Sequence, residues 1–335
     1  MNTVERLTAF NPEFSEQTLE IVSEVAERQV LYDNYQQYFE DRHLPDYEVY
    51  ARRHLADIRR EDSDPGKNFV WFLPYNQCLD PNQLFQVMTI ADVLPEYRVV
   101  AIANPCGPGH SPQALSRAER RQVSNEEDLK PTIEPVVKYL DSREIDTVSY
   151  GGASFGADLV VAAPKYDERP IPSLVTINPI RFFRRTRLEL GRAFQATDAP
   201  QQQYVDNTEI PAYIEAHNDR MNMVTWMLGL AGLTNQAYLT FLCQPGFEQE
   251  LHEALDTHPE TSVSMVWGSK DELARDGYAV RIADRAEHSY GGDRFRRTRI
   301  IGGKHAMIND IHLQAALVRE GLAVTNQTAT GTDAV

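Results

Sequence analysis

A serine flanked by glycines has the spacing of an activated nucleophile. Gly152, Ser154 and Gly156 form the pattern G-x-S-x-G, with the apolar run 147–150 before it and a helix-compatible run after it. A sharp turn from strand to helix lifts such a serine clear of a sheet, and only small neighbours fit beside it. The turn also aims the backbone N–H of Phe155 at an oxyanion formed when the serine attacks an acyl carbon. A chance glycine-rich turn is the alternative, which the flanking elements disfavour.

A nucleophilic serine needs a base, and the base needs an acid that orients it. Asp271 stands three residues after the glycine that ends the apolar run 263–267, and His305 follows the run 298–301 and two glycines. Both come after Ser154, in the order serine, acid, histidine. Because the carboxyl ends of parallel strands meet at one edge of a sheet, we expect the three side chains to meet there.

Other residues compete for two of these roles. An aspartate after a strand is often only a turn or helix cap, and Glu272 and Asp276 are the alternatives for the acid. The remaining downstream histidines lie in charged or polar sequence or in the terminal helix, which makes them weaker candidates for the base: His217, His252, His258, His288 and His312.

The strand–GxSxG–helix element, the G-x-x-D after a strand and the late glycine–histidine segment together resemble the α/β-hydrolase superfamily. The likeness covers roughly residues 68–180 and 260–323. It implies a mostly parallel, doubly wound sheet, a helical cap, and a triad of Ser154, Asp271 and His305. Residues 104–111 also resemble a family loop that shapes one wall of the site.

The segment after the third expected strand departs from the family pattern. The superfamily commonly has His-Gly there, where a backbone N–H completes the oxyanion hole beside that of Phe155. Here the position reads Pro74-Tyr75-Asn76-Gln77. Because proline has no N–H, the second donor is expected at Asn76 or at Tyr75, with Asn76 preferred by position.

The elements that would position these residues alternate along the chain. Long helix-compatible segments separate short apolar runs, which indicates strands buried on both faces of a parallel sheet. The predicted fold class is α/β, with core segments 67–180 and 251–324. A helical segment 1–66 precedes them without a β-hairpin, so a shorter sheet is expected. The runs are 68–73, 98–103, 147–150, 174–177, 263–267 and 298–301.

Residues 181–250 show no convincing strand and are predicted to form a helical cap. Met223, Trp226 and Met227 would either line an acyl pocket or pack the cap onto the body, and packing is the preferred interpretation. The arginine-rich run 182–187 would form an anion site or, preferably, a solvated face paired with acids. A flexible tail is expected at 325–335.

Composition limits the classes of partner. The formal charge is −16, from 49 acidic and 33 basic residues, which disfavours nucleic acid and anionic membranes. The three cysteines form no disulfide framework or metal motif, and no signal peptide is apparent, so a cytoplasmic protein without metal or cofactor is expected. The expected partner is a small-molecule acyl substrate, and a homodimer is left open.

These observations predict a serine hydrolase that cleaves a carboxylic ester or related acyl bond through an acyl-enzyme on Ser154. One alternative is a catalytically silent module of the same fold that binds a ligand or protein. The altered segment after the third strand motivates that alternative, whereas the intact order of the triad argues against it. The other alternative is an acyltransferase that uses the same three residues.

Overall fold

The computed structural model describes residues 3–11, 13–42, 46–50, 53–61, 63–75, 79–103, 115–218 and 233–329. Its centre is an eight-stranded sheet. The strands are β1 (Asp46–Tyr50), β2 (Arg53–Ile58), β3 (Asn68–Phe72), β4 (Arg98–Ile102), β5 (Ser149–Ala153), β6 (Ser173–Ile177), β7 (Ser262–Gly268) and β8 (Phe295–Ile300).

The strands lie in the order β1-β2-β4-β3-β5-β6-β7-β8. The strand pairs from β4 to β8 are parallel, while β1 pairs with β2, and β2 with β4, in antiparallel fashion. The mostly parallel α/β sheet predicted from the apolar runs is therefore confirmed. The carboxyl ends of the parallel strands share one edge, which is where the candidate residues follow them.

Helices cover both faces of this sheet. They are α1 (Thr3–Phe10), α2 (Glu16–Gln29), α3 (Tyr35–Arg42), α4 (Pro81–Val93), α5 (Arg117–Asn125), α6 (Lys130–Ser142), α7 (Phe155–Ala162), α8 (Arg187–Asp206), α9 (211–218), α10 (Leu233–Leu242), α11 (Phe247–Thr257), α12 (Asp276–Tyr290) and α13 (Ile311–Ala329). Within the described ranges, none of these helices is long and apolar enough to cross a membrane.

Strand β3 illustrates why the central strands are continuously apolar. All five of its residues are buried. Val70 and Phe72 pack with α6 and α7 on one face of the sheet, while Phe69 and Trp71 pack with α4 and α13 on the other. Successive side chains of a strand point to opposite faces, so a strand between two helical layers needs apolar residues throughout.

The amino-terminal segment corrects one sequence prediction. Helices α1 to α3 are present, but the stretch around residues 46–58 forms the hairpin of β1 and β2 instead of a helix, and the sheet is not shortened. In β2, Leu55 packs on one face of the sheet and Ala56 and Ile58 on the other, which is the alternation of a strand. The sequence predicts a helix here because Ala51, Leu55 and Ile58 recur at helical spacing, with polar residues such as Arg53 and Asp57 between them.

Buried partners explain those polar residues. Asp57 accepts two hydrogen bonds from Arg98, at 2.9 and 2.5 Å, and a third from the Tyr139 hydroxyl at 2.7 Å. Arg53 is 2% exposed and donates to the carbonyl of Pro131 at 2.6 Å. A charged strand can be buried in this way because each charge finds a partner on another element.

Between β6 and β7 the described residues contain α8 to α11 and no strand, which agrees with the expected helical insertion. Helix α10 contacts α5, and α11 contacts α7 and the short 3-10 turn Ala163–Lys165. The insertion is therefore packed against the helical layer that contains the helix following Ser154.

Candidate active site

Ser154 occupies a strained turn between β5 and α7. Its backbone has φ 56° and ψ −124°, a region that costs a non-glycine residue roughly 1 to 3 kcal/mol. The glycines beside it are required by close contacts. A Cβ on Gly152 would lie 2.4 Å from the carbonyl of Gly156, and one on Gly156 would lie 2.2 Å from the carbonyl oxygen of Phe72. The G-x-S-x-G spacing thus reflects how closely the turn packs against itself and against β3.

The three residues expected to act together do meet at the carboxyl edge of the sheet. His305 Nε2 lies 2.9 Å from Ser154 Oγ, and His305 Nδ1 lies 2.9 Å from Asp271 Oδ2. Ser154 follows β5, Asp271 follows β7 and His305 follows β8. Their exposed fractions are 3%, 4% and 4%, so these hydrogen bonds are shielded from competing water.

The surroundings of Asp271 fix which oxygen faces the imidazole. Its Oδ1 accepts the backbone N–H groups of Leu273 at 2.7 Å and Ala274 at 2.9 Å. Oδ2 is therefore the oxygen directed at His305 Nδ1. Because an ionised carboxylate only accepts hydrogen bonds, Nδ1 carries the ring proton, and Nε2 presents its lone pair to the Ser154 hydroxyl.

The alternatives for the acid lie elsewhere. Glu272 Oε2 accepts the backbone N–H of His305 at 3.2 Å, so it contacts the main chain of the histidine. Asp276 accepts hydrogen bonds from the Trp267 indole at 2.9 Å and from the Arg299 guanidinium at 2.8 and 2.5 Å. Asp271 is accordingly the acid that the structure brings to the imidazole of His305.

The other histidines with defined partners also lie elsewhere. His252 pairs with the Tyr290 hydroxyl at 2.8 Å, and His258 Nε2 lies 3.0 Å from the carbonyl of Pro164. His312 contacts Arg6 and Gln29 under the amino-terminal helices. His217 lies in α9, and the exposed His288 lies in α12.

The oxyanion-hole candidates are only partly within the described residues. Phe155 is the first residue of α7, so its N–H has no partner within the helix. The Tyr75 ring packs edge-on against Phe155, at 6.2 Å between centroids, and stacks on Phe194 at 5.8 Å. Asn76, residues 104–111 and the pocket candidates Met223, Trp226 and Met227 lie outside the described residues.

Asn178, which no sequence motif marked, ties together the acid and histidine loops. It follows β6 directly, is fully buried and has φ 50°. Its Oδ1 accepts the N–H of Gly268 at 3.0 Å, and its Nδ2 donates to the carbonyl of His305 at 3.1 Å. A polar residue directly after a buried strand was the available signal, because the acid also lies just beyond a strand.

A buried ionic cluster lies behind the serine turn. Arg181, which is 1% exposed, donates to both carboxylate oxygens of Glu250, at 3.0 and 2.9 Å. Asp158, four residues after Ser154, accepts the backbone N–H groups of Ile180 and Arg181. Burial raises the pKa of Asp158 to about 7, although the charge of Arg181 opposes that rise. The cluster links α7 to α11 of the insertion.

The arginine-rich run 182–187 does not form the solvated face that was preferred. Arg184 and Arg187 are exposed, whereas Phe182, Phe183 and Arg185 are buried. The contacts of Arg185 are with backbone carbonyls and an aromatic ring. This mixture of buried and exposed residues reflects an irregular segment after β6 that places some of its side chains in the core.

No protein-family model matches the chain, and no curated protein matches it by sequence. Solved structures do match it along most of its length. An esterase of Pyrococcus furiosus is 11% identical with a TM-score of 0.53, over 86% of this chain and 93% of the other. A haloalkane dehalogenase loop variant from Bradyrhizobium elkanii is 11% identical with a TM-score of 0.52, over 85% and 98%.

A third match is a carboxylesterase of the thaumarchaeon Nitrososphaera gargenis, 10% identical with a TM-score of 0.51, over 84% of this chain and 100% of the other. The chain has the α/β-hydrolase fold. The resemblance inferred from the motifs is thereby confirmed at the level of the fold. Because one fold can serve many chemistries, the reaction of this α/β-hydrolase-fold protein has to be argued from its site.

Proposed function

We propose that the protein is a serine hydrolase that cleaves a carboxylic ester, or a related acyl bond, of a small molecule. The observation that carries the proposal is the hydrogen-bonded path from Ser154 Oγ through both ring nitrogens of His305 to Asp271 Oδ2, with 2.9 Å at each step. A path of this kind activates a hydroxyl that is otherwise a weak nucleophile at neutral pH.

The reaction proceeds in two halves. His305 Nε2 removes the proton of Ser154 as Oγ attacks the acyl carbon, and Asp271 stabilises the imidazolium that forms. His305 then gives this proton to the leaving oxygen, the alcohol departs, and the acyl group remains on Ser154. In the second half His305 deprotonates a water molecule, which attacks the acyl-enzyme, releases the acid and restores the serine.

The negative charge of each tetrahedral intermediate requires donors. The N–H of Phe155 is one, because it stands at the amino terminus of α7 directly beside the nucleophile. The second donor is proposed at Asn76, with Tyr75 as the alternative. The aromatic packing of Tyr75 against Phe155 and Phe194 holds the Tyr75 ring beside the first residue of α7. Each donor is typically worth about 3 to 4 kcal/mol of barrier lowering.

The similar structures include two esterases and one dehalogenase, so the fold alone does not indicate which type of bond this protein would cleave. The side chains at the site favour an acyl bond. A serine oxygen beside a neutral imidazole forms an ester with an acyl carbon, and the same imidazole can then deliver water to it. The proposal therefore commits to acyl chemistry.

The test is a panel of p-nitrophenyl esters with short and long acyl chains, assayed on the wild type and on Ser154→Ala. We expect Ser154→Ala to lose roughly 10⁴- to 10⁶-fold in kcat. Ser264→Ala is the matched control, because Ser264 is also buried but lies within β7, and it should keep wild-type turnover. Far-UV circular dichroism checks that both variants fold.

Labelling with a fluorophosphonate probe gives a second, substrate-independent measurement. The wild type should be labelled at Ser154, as located by mass spectrometry, and Ser154→Ala should not. Full ester turnover by Ser154→Ala would remove the serine from this role. Absence of both turnover and labelling in the wild type would favour a module that only binds a ligand.

A further inference from the structure

Arg185 connects the segment after β6 to the turn that carries Asp271. It is 6% exposed, and its Nη2 donates to the carbonyl of Ile180 at 2.7 Å and to the carbonyl of Leu273 at 2.6 Å. Its own backbone N–H donates to the carbonyl of Cys243 at 3.0 Å. One guanidinium nitrogen thus bridges two backbone segments that lie far apart in the sequence.

Leu273 hydrogen-bonds both to Arg185 and to the acid Asp271. Its carbonyl accepts from Arg185, while its N–H donates to Asp271 Oδ1 at 2.7 Å. Leu273 and Ala274 are fully buried. Without Arg185 the carbonyl of Leu273 would lose a charged donor in a buried place where water cannot easily replace it. The turn would relax, and the direction of Asp271 Oδ2 would change with it.

Aromatic packing fixes the guanidinium in place. The Arg185 guanidinium carbon lies 4.2 Å from the centroid of the Phe183 ring, and that of Arg275 lies 4.4 Å from the same centroid. The Tyr278 ring stacks on Phe183 at 4.7 Å. Arg275, directly after Ala274, has φ 52°, so the acid turn ends in a strained residue that its surroundings must hold.

The charge of Arg185 also suits this role. Burial lowers its pKa, while the negative charges of Asp158 and Asp271 act in the opposite direction. An arginine stays protonated in proteins, so a cation lies within electrostatic range of the Asp271 carboxylate.

We propose that Arg185 is a positioning residue of the site: its guanidinium holds the turn Asp271–Ala274 so that Asp271 Oδ2 is directed at His305. The inference rests on the proposed function only for its effect on catalysis. The contact with the turn itself can be measured without any substrate.

Amide hydrogen exchange tests the contact. In Arg185→Gln the amides of Leu273 and Ala274, which bond to Asp271 Oδ1, should exchange at least tenfold faster than in the wild type. The control Arg184→Gln changes an exposed arginine of the same run and should leave these amides protected. Unchanged protection in Arg185→Gln would overturn the proposal, whether or not the protein hydrolyses esters.

A double-mutant cycle with Asp271→Asn tests the effect on catalysis. With the best p-nitrophenyl ester, Arg185→Gln should lower kcat roughly 10- to 100-fold and leave KM nearly unchanged, since a small misplacement of a catalytic group has that effect. If Arg185 acts through Asp271, adding Arg185→Gln to Asp271→Asn should cause little further loss. Losses that multiply fully in the double variant would contradict the proposal.

A conservative variant separates positioning from folding. Arg185→Lys keeps the charge but has no planar fork, so its kcat should fall between those of the wild type and Arg185→Gln. If Arg185→Gln unfolds, Arg185→Lys carries both the exchange and the cycle measurements. If the wild type hydrolyses no ester but the amides of Leu273 and Ala274 exchange faster in the Arg185 variant, the result counts against the proposed function and not against the contact of Arg185 with the turn.

Discussion

Asn178 donates a hydrogen bond from its side-chain amide to the carbonyl oxygen of His305 over 3.1 Å. The oxygen of the same amide accepts the N–H of Gly268, the last residue of β7, at 3.0 Å. The residue thus joins the strand that leads to Asp271 with the loop that carries His305. The backbone N–H of Asn178 donates to the carbonyl of Val266 at 2.8 Å, so the main chain of Asn178 is also bonded to β7.

Substitution of Asn178 should therefore impair catalysis more than binding. Asn178→Ala removes both bonds, and we expect kcat to fall roughly 10- to 100-fold with little change in KM. Asn178→Asp keeps the acceptor for Gly268 but loses the donor to His305, so its loss should be of similar size. Steady-state kinetics measure both, with the exposed Asn125→Ala as control. Wild-type kcat in Asn178→Ala would show that the two loops hold their geometry without it.

Two glycine substitutions should have opposite effects on stability. Gly156→Ala places a Cβ 2.2 Å from the carbonyl oxygen of Phe72, and such overpacking should destabilise the fold by about 1 to 3 kcal/mol. Gly191→Ala, in the exposed part of α8, meets nothing within 4 Å and should stabilise it by about 0.4 to 1 kcal/mol. Urea unfolding followed by circular dichroism gives both values. Equal effects of the two substitutions would contradict the close approach of α7 to β3.

His312 should make the fold less stable in acid. Its Nδ1 lies 3.2 Å from Arg6 and its Nε2 lies 2.9 Å from Gln29 Oε1, which is the pattern of a neutral ring. Burial, and secondarily the charge of Arg6, lowers the pKa of His312 from 6.5 to about 3. Between these values the unfolded chain binds a proton that the folded protein does not, so the free energy of unfolding falls as the pH drops from 6.5 towards 3.

The measurement is urea unfolding of the wild type and His312→Gln between pH 7 and pH 4. The variant loses a packed ring, so it starts less stable, but it lacks the acid-sensitive contribution. The difference in the free energy of unfolding between the wild type and His312→Gln should therefore become smaller as the pH falls. His288→Gln, at an exposed position, should follow the wild type throughout. If the free energies of unfolding of the wild type and His312→Gln fell in parallel with pH, His312 would not be the origin of the acid sensitivity.

The sequence predicted the central part of the fold and the meeting of Ser154, Asp271 and His305. Strands β3 to β7 could be predicted because they are mostly apolar or small and buried, whereas only the end of β8 was predicted, because β8 carries three arginines and is partly exposed. Each candidate residue of the site follows the end of one of these strands. The hairpin of β1 and β2 was not predicted, because Arg53 and Asp57 are buried against partners on other elements. Charges of that kind look like the exposed face of a helix until the partner is known.

The sequence reasoning did not identify Asn178 or Arg185 for a related reason. Asn178 lies 90 residues from Gly268 and 127 from His305, so its position directly after β6 is a signal in the sequence, but its two partners are not. Arg185 belongs to a run that composition alone assigns to the surface. Both side chains hydrogen-bond to main-chain atoms of distant segments, and a contact to the main chain needs no matching side chain that the sequence could show.

The cluster of Asp158, Arg181 and Glu250 has a consequence for anyone who would exchange the insertion between β6 and β7. A Cβ on Gly246 would meet the Arg181 guanidinium at 2.1 Å, so even the entry to α11 is fitted to that arginine. A chimera with foreign helices would have to keep Gly246 and Glu250, because otherwise the buried Arg181 would lose its carboxylate partner next to the turn at Ser154. The helical insertion and the sheet domain can therefore be exchanged between proteins only together with the residues that pair across them.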